Sequence, residues 1–205
     1  MGMPEEFNYP QDPALTASPG VTPSQTVGPF FHYALPYEAG PEVAGAQRPG
    51  AIRLHGRVSD GAGAPIPDAM LEIWQADEFG QFVTTPGIYD KPDQTGFRGF
   101  GRCPTGTDGG YEFRTVKPAG VSTVDEVAQA PHIAMAVFAR GMLRQAVTRV
   151  YFDDEQSANG TDPLLCALDV DRRATMIAGS TTDGYRFDVR IQGQGETVFL
   201  DVFER

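Results

Sequence analysis

The chain has 205 residues, 24 of them glycine and 17 proline, and a net charge of −11. That length suits one domain with a sizeable core, or one domain carrying an arm. The acidic field repels nucleic acid, and no apolar run is long enough to span a bilayer, so neither is an expected partner.

Residues 1–21 are rich in Pro, Ala and Ser without periodicity and read as a flexible arm, with one domain expected over 22–205. The first residues lack the basic and apolar regions of a secretory signal, and Cys103 and Cys166 match no metal spacing. Both cysteines read as reduced thiols, and the expected location is the cytoplasm. The segment Thr22–Phe31 mixes turn formers with two aromatics, and residues 38–50 read as linker.

Strands follow. "AIRLHGRVSD" alternates Ile52, Leu54, Gly56 and Val58 against Arg53, His55 and Arg57. "MLEIWQAD" turns Leu71 and Ile73 to one face and Met70, Glu72 and Trp74 to the other. Gly80–Arg102 reads as irregular, and "GGYEFRTV" as the next strand, with Tyr111, Phe113 and Thr115 on one face. "HIAMAVFA" and "LRQAVTRVYF" flank a turn at Arg140–Gly141. Helical spacing is confined to "LLCALDVDRRATMIAG", and "YRFDVRI" with "ETVFLDVF" reads as a closing hairpin over "QGQG". Short alternating strands between Gly/Pro turns predict an all-β chain: a β-sandwich core with long loops and one or two short helices.

The pattern alone assigns little chemistry. His55 sits on a charged strand face and reads as solvated, and His32 as packing or a surface hydrogen bond. His132 shares a face with Ala134, Ala136 and Phe138, and reads as a hydrogen-bonded core histidine rather than a metal ligand. The carboxylates of "YFDDE" (Tyr151–Glu155) read as a solvated strand exit, since three consecutive side chains point apart. Arg140, at a strand end beside a glycine, is either an ordinary turn arginine or a bidentate clamp for a carboxylate.

Several strings, taken in order, carry more. "TPSQTVGPFFH", "GAPIPDAMLEIWQAD" followed by "GQF", "GFRGFGRCPTGTDGGYEFRTVKPAG", "APHIAMAVFARG", "TRVYFDDE" and "YRFDVRIQGQGETVFLDVF" together resemble the intradiol ring-cleavage dioxygenases, over nearly all of Thr22–Phe203. The resemblance implies a β-sandwich and a non-haem Fe(III) held by two tyrosinates and two histidines. It implies a reaction that opens an ortho-diphenol between its hydroxyls with O₂, the metal and bound substrate carrying the chemistry.

Placed on that pattern, Tyr89 stands at the first tyrosine position and His132 at the first histidine position. Alanine (Ala134) stands at the second histidine position, and no tyrosine lies between Tyr111 and Tyr151. Gln129 replaces the family's catalytic arginine, and Arg149 its pocket glutamine. Tyr89 and His132 are therefore expected to be vestigial, with no metal and no catalytic residue in this chain alone. The strings resemble the α subunit of the family's two-subunit members, whose Fe(III) belongs to a β subunit of the same fold. That likeness implies an obligate hetero-oligomer with β, acting on a small aromatic substrate that bears a carboxylate. It makes Thr26, Gly28, Pro29 and Phe30 a wall of the shared cavity, with Arg140 close by to hold the carboxylate. Two alternatives stand beside this: an autonomous intradiol dioxygenase drawing on His32, His55 or Tyr111, and a non-enzymatic transthyretin-like binding module.

Overall fold

Residues 25–28, 31–83, 91–123 and 125–202 are described by a computed structural model. The expected arm over 1–21 lies outside them, as do Pro29, Phe30 and Tyr89. Phe31–Ala34 forms a single helical turn (α1), and the strands then begin with Ala51–Ser59 (β1), where Leu54 and Val58 are fully buried. Met70–Trp74 (β2) buries Leu71 and Ile73 as the alternation predicts. Phe100–Pro104 (β3) is a strand that begins within the end of the stretch expected to be irregular, Gly80–Arg102. Its Gly, Arg and Pro hide the pattern, and pairing with β2 from Met70↔Pro104 to Trp74↔Phe100 supplies the order. Gly110–Val116 (β4) buries Tyr111, Phe113 and Thr115.

A small ribbon follows, Val121–Ser122 (β5) with Ala128–Gln129 (β6), and then the long pair His132–Phe138 (β7) and Ala146–Phe152 (β8). Three more helical turns come next: Gln156–Asn159 (α2), Pro163–Cys166 (α3) and Val170–Ala174 (α4). The predicted helical stretch therefore ends early. Its "MIAG" end lies in and just before strand Ile177–Ser180 (β9), because Met176 accepts from the Tyr151 amide at 2.9 Å and Ala178 is buried. Gly184–Arg186 (β10) and Val189–Arg190 (β11) both run parallel to β1, at Leu54↔Tyr185 and Val58↔Val189. Between them the Phe187 amide donates to the His55 carbonyl at 2.8 Å, and the chain passes so close that a Cβ on Gly56 would meet the Phe187 oxygen at 1.8 Å.

The expected sandwich is one nearly closed sheet. Its order is β4-β1-β10-β9-β8-β7-β2-β3, with β11 beside β10 on β1. Leu54, Val58, Phe113 and Tyr185 from one half pack with Leu71, Ile73, Ile133, Met135, Val137, Val150 and Phe152 from the other. Each such Val, Leu, Ile or Phe contributes roughly 1.5–3 kcal/mol by leaving water.

Two expectations are corrected at the C-terminal side. The closing hairpin is limited to one rung, where Thr197 and Arg190 exchange hydrogen bonds of 3.0 Å. Beyond it the chain leaves its partner for β8, the Leu200 amide donating to Val147 at 2.7 Å and Thr148 Oγ1 to the Val198 carbonyl at 2.8 Å. The "YFDDE" carboxylates stay exposed or part-exposed, as a solvated exit requires, but they are paired rather than pointing apart. Asp153 accepts from the Ser180 amide at 2.9 Å, while Asp154 and Glu155 both accept from Lys117 Nζ, at 2.9 and 2.6 Å. Burial works against the Lys117 ammonium, but these two carboxylates outweigh it and raise its pKa above the ordinary lysine value.

Candidate functional site

The β2–β7–β8 register sets Trp74 opposite Ala134, and Ala134 opposite Arg149, in one row across three strands. His132 lies opposite Tyr151 at the end of the same pair. This row is on the outer face of the sheet. Ile133, Met135 and Val137 fill the core, while His132, Ala134, Ala136 and Phe138 are half-buried, so the core position expected for His132 is corrected. Both faces of β7 are apolar, and alternation does not say which one the other layer covers; the branched and longer side chains take the interior.

His132 is hydrogen-bonded as expected: Nδ1 donates to the Ala130 carbonyl at 2.8 Å. Its ring lies 5.6 Å from that of Tyr151. The Tyr151 hydroxyl donates to Asp162 Oδ1 at 3.1 Å, and Oδ2 of the same carboxylate accepts from the Ala130 amide at 3.0 Å. Asp162 also caps α3, accepting from the Leu164 and Leu165 amides at 3.0 and 3.1 Å with Pro163 in the first turn. Ala130 is thus held at both its amide and its carbonyl. Arg149 approaches from the pocket side, with Nη1 3.4 Å from the Tyr151 hydroxyl. Burial, helped by the Arg149 charge, pushes the His132 pKa below its ordinary value. Burial pushes the Tyr151 phenol up to about 12, with Asp162 adding to the rise.

In front of this row is a depression of about 120 Å³, walled by Trp74, Phe82, Val121, His132, Ala134 and Arg149. Among the described residues its donor set does not fit Fe(III). Ala134 offers a methyl group, Arg149 places a cation across from it, and Tyr151 is held as a neutral phenol rather than a phenolate. Among the described residues, no three His, Cys, Asp or Glu side chains converge on a point that could hold a metal. Two of the reserve donors for an autonomous site lie elsewhere. Tyr111 is buried, donates to the Phe187 carbonyl at 2.5 Å and has its pKa raised by burial. His55 is half-buried rather than solvated, with its pKa lowered by burial and the neighbouring Arg53 charge. Both line an open groove of about 570 Å³ over β1 and β4, whose arginines are already paired: Arg53 with Glu112 at 2.6 Å, Arg57 with Asp108 and Arg186 with Asp188 at 2.9 Å.

At the other end of β7, the turn to β8 meets the segment before α1. Thr26 Oγ1 accepts from the Gly141 amide at 2.8 Å, so Thr26 lies beside Arg140. Gly141 takes φ of 84°, a left-handed conformation that keeps the turn tight. The Arg140 side chain is 65% exposed and forms an ion pair with Asp68. Gln25, Val27, Phe138, Met142 and Leu143 line a hollow of about 220 Å³ here. Gly28 has open space where a side chain would be, and the structure does not bring it against Arg140. Sequence reasoning missed two residues. Asp68 left no signal, because nothing in the pattern pairs positions 68 and 140. Asp162 did leave one: Asp before Pro, opening "DPLL", is a helix-start signature.

A curved single sheet of this order agrees with comparisons to known proteins. A family model described as "Dioxygenase" matches residues 28–193. The chain belongs to the dioxygenase family, in its intradiol branch. It is similar to the protocatechuate 3,4-dioxygenase alpha chain of Burkholderia cepacia, 46% identical with 88% of this chain and 97% of that one covered. The alpha chain of Pseudomonas putida is 42% identical, with 88% and 96% covered. The B. cepacia beta chain is more distant, 29% identical with 71% and 66% covered, which sets this sequence with the α chains. Among solved structures, the dioxygenase domain of a carbohydrate-binding fusion from Streptomyces sp. SirexAA-E superposes with TM-score 0.55 at 27% identity, covering 84% of this chain and 98% of that one. The catechol 1,2-dioxygenase of Acinetobacter radioresistens shares the fold, with TM-score 0.55 at 18% identity over 82% and 63%.

Proposed function

We propose that this chain is the non-metal-binding α subunit of a protocatechuate 3,4-dioxygenase, a cytoplasmic complex with an iron-bearing β subunit. The reaction opens protocatechuate with O₂ to 3-carboxy-cis,cis-muconate. The observation that carries the reading is the row Trp74–Ala134–Arg149, in which a methyl group takes the second histidine position of the family pattern and a guanidinium faces it from the pocket-glutamine position. Fe(III) in the β subunit supplies the activation of the ortho-diphenol for O₂. The residues of this chain bind and enclose. Thr26, Gly28, Pro29 and Phe30 form a wall of the shared cavity, with little side-chain bulk at glycine and proline. Arg140 receives the substrate carboxylate as a two-pronged donor, and Asp68 holds the guanidinium until then. The proximity of Thr26 to Gly141 supports grouping these elements at one edge.

The test is iron content and visible absorption of the purified chain, alone and co-expressed with a β chain. A colourless, iron-free chain that joins a coloured, active complex is the expected result. A chain that binds iron and is coloured by itself overturns the reading.

A further inference from the structure

We propose that the depression in front of Arg149 is a binding site for a small planar carboxylate, held by the guanidinium fork and sandwiched at its mouth by Trp74 and Phe82. This goes beyond the subunit role and does not rest on it. Arg149 is half-buried, and among the described residues it makes no ion pair and one hydrogen bond, the 3.4 Å contact with the Tyr151 hydroxyl. By contrast Arg48, Arg53, Arg57, Arg102, Arg114, Arg140 and Arg186 all have carboxylate partners. A guanidinium withdrawn from water without an anion is poorly compensated, and a bidentate carboxylate is the group that matches its geometry.

The surroundings select the rest of the ligand. Asp162 directs its carboxylate oxygens to Tyr151, Ala130 and the start of α3 and does not pair directly with Arg149. Glu72, on the same face of β2 as Trp74, is bound to Arg102. Ala134 leaves the space open, and about 120 Å³ is room for several waters or one flat ring. Trp74 and Phe82 stay 40% and 48% exposed at the rim, offering two aromatic surfaces to a planar body.

Trp74 is the chain's single tryptophan, so its emission reports on this site without labelling. The experiment titrates the full chain, without β, with benzoate, and compares phenol (the ring without the charge) and acetate (the charge without the ring). Expected is a saturable change in Trp74 emission, with benzoate binding about tenfold or more tightly than either, and an Arg149→Gln chain losing about tenfold in benzoate affinity. Ala134→Leu, which fills the space and keeps the guanidinium, should abolish the response. Benzoate binding no tighter than phenol, no saturable change, or an unaltered affinity in Arg149→Gln overturns the proposal. Because β is absent, failure here leaves the subunit reading untouched, and loss of activity in the complex would not affect this result.

Discussion

Replacing Asp162 with alanine should be among the most destabilising single changes on the outer face of this sheet. The side chain is almost fully buried and accepts four hydrogen bonds: two from the start of α3, one from the Ala130 amide and one from the Tyr151 hydroxyl. Loss of the helix cap costs about 1 kcal/mol. The Ala130 amide and the Tyr151 hydroxyl are then left buried without acceptors, at roughly 1–3 kcal/mol each. The sum is roughly 3–7 kcal/mol, or a fall in Tm of at least about 6 °C for a chain of this size. Asp162→Asn separates the two halves of the role. Asparagine caps a helix as well as aspartate does, but its NH₂ faces the Ala130 amide or the phenol, so about half of the loss should remain. Urea unfolding of the full chain, followed by Trp74 emission, measures both. If Asp162→Ala stays within about 1 kcal/mol of the parent, or the asparagine variant is as damaged as the alanine one, the carboxylate is not the hub described here.

Tyr151 gives a pH signature. The folded chain keeps a phenol proton that the unfolded chain releases near pH 10, so this group's stability contribution is lost as pH rises from about 10 to the folded value of about 12. Denaturation curves across that range should therefore flatten in Tyr151→Phe, and an unchanged slope contradicts the assignment. Gly56→Ala should cost more than about 4 kcal/mol, because its Cβ would lie 1.8 Å from the Phe187 oxygen and force β10 and β11 away from β1; a thermal melt close to the parent's would show that the crossing can relax. Arg140→Ala, assayed in a reconstituted complex with β, should raise KM for protocatechuate about tenfold or more with the complex intact, and an unchanged KM removes Arg140 from substrate binding.

The parts of the fold legible in the sequence are those in which one face of a strand differs from the other. β1 and β4 set Leu54, Val58, Tyr111 and Phe113 against charged residues, and the structure buries those four. β3 escaped because "FGRCP" carries no alternation of its own, and its order comes from β2 beside it. The "MIAG" segment reads as helix in sequence because Leu164, Leu165 and Leu168 set a local period. Its pairing with Tyr151 and Phe152 is a contact across some 26 residues that no window detects (Tyr151↔Ile177). The same limit applied to charge. The carboxylates of "YFDDE" look solvated in sequence because their cation, Lys117, is supplied by the end of a different strand.

The candidate site divides in the same way. Ala134 and Arg149 were readable by position once the resemblance was in hand. How the polar groups around them are bonded was not. A histidine, a tyrosine and an aspartate gathered on a sheet face look, as a list, like the material of a metal site. Their hydrogen bonds say otherwise. Asp162 spends both oxygens on backbone amides and a phenol, and Tyr151 is made less acidic by burial. His132 is tied to a carbonyl that the same aspartate helps to fix. Each polar group is satisfied by a neighbour of complementary type, which is the condition for keeping such groups away from water without a cation. Arg149 is the member left over: among the described residues it has no ion pair, and it lines the depression together with Trp74 and Phe82. Reversing Ala134 to histidine would therefore not recreate a centre by itself. A cation placed there would face the Arg149 guanidinium and a phenol that burial has made less acidic, both of which work against metal binding.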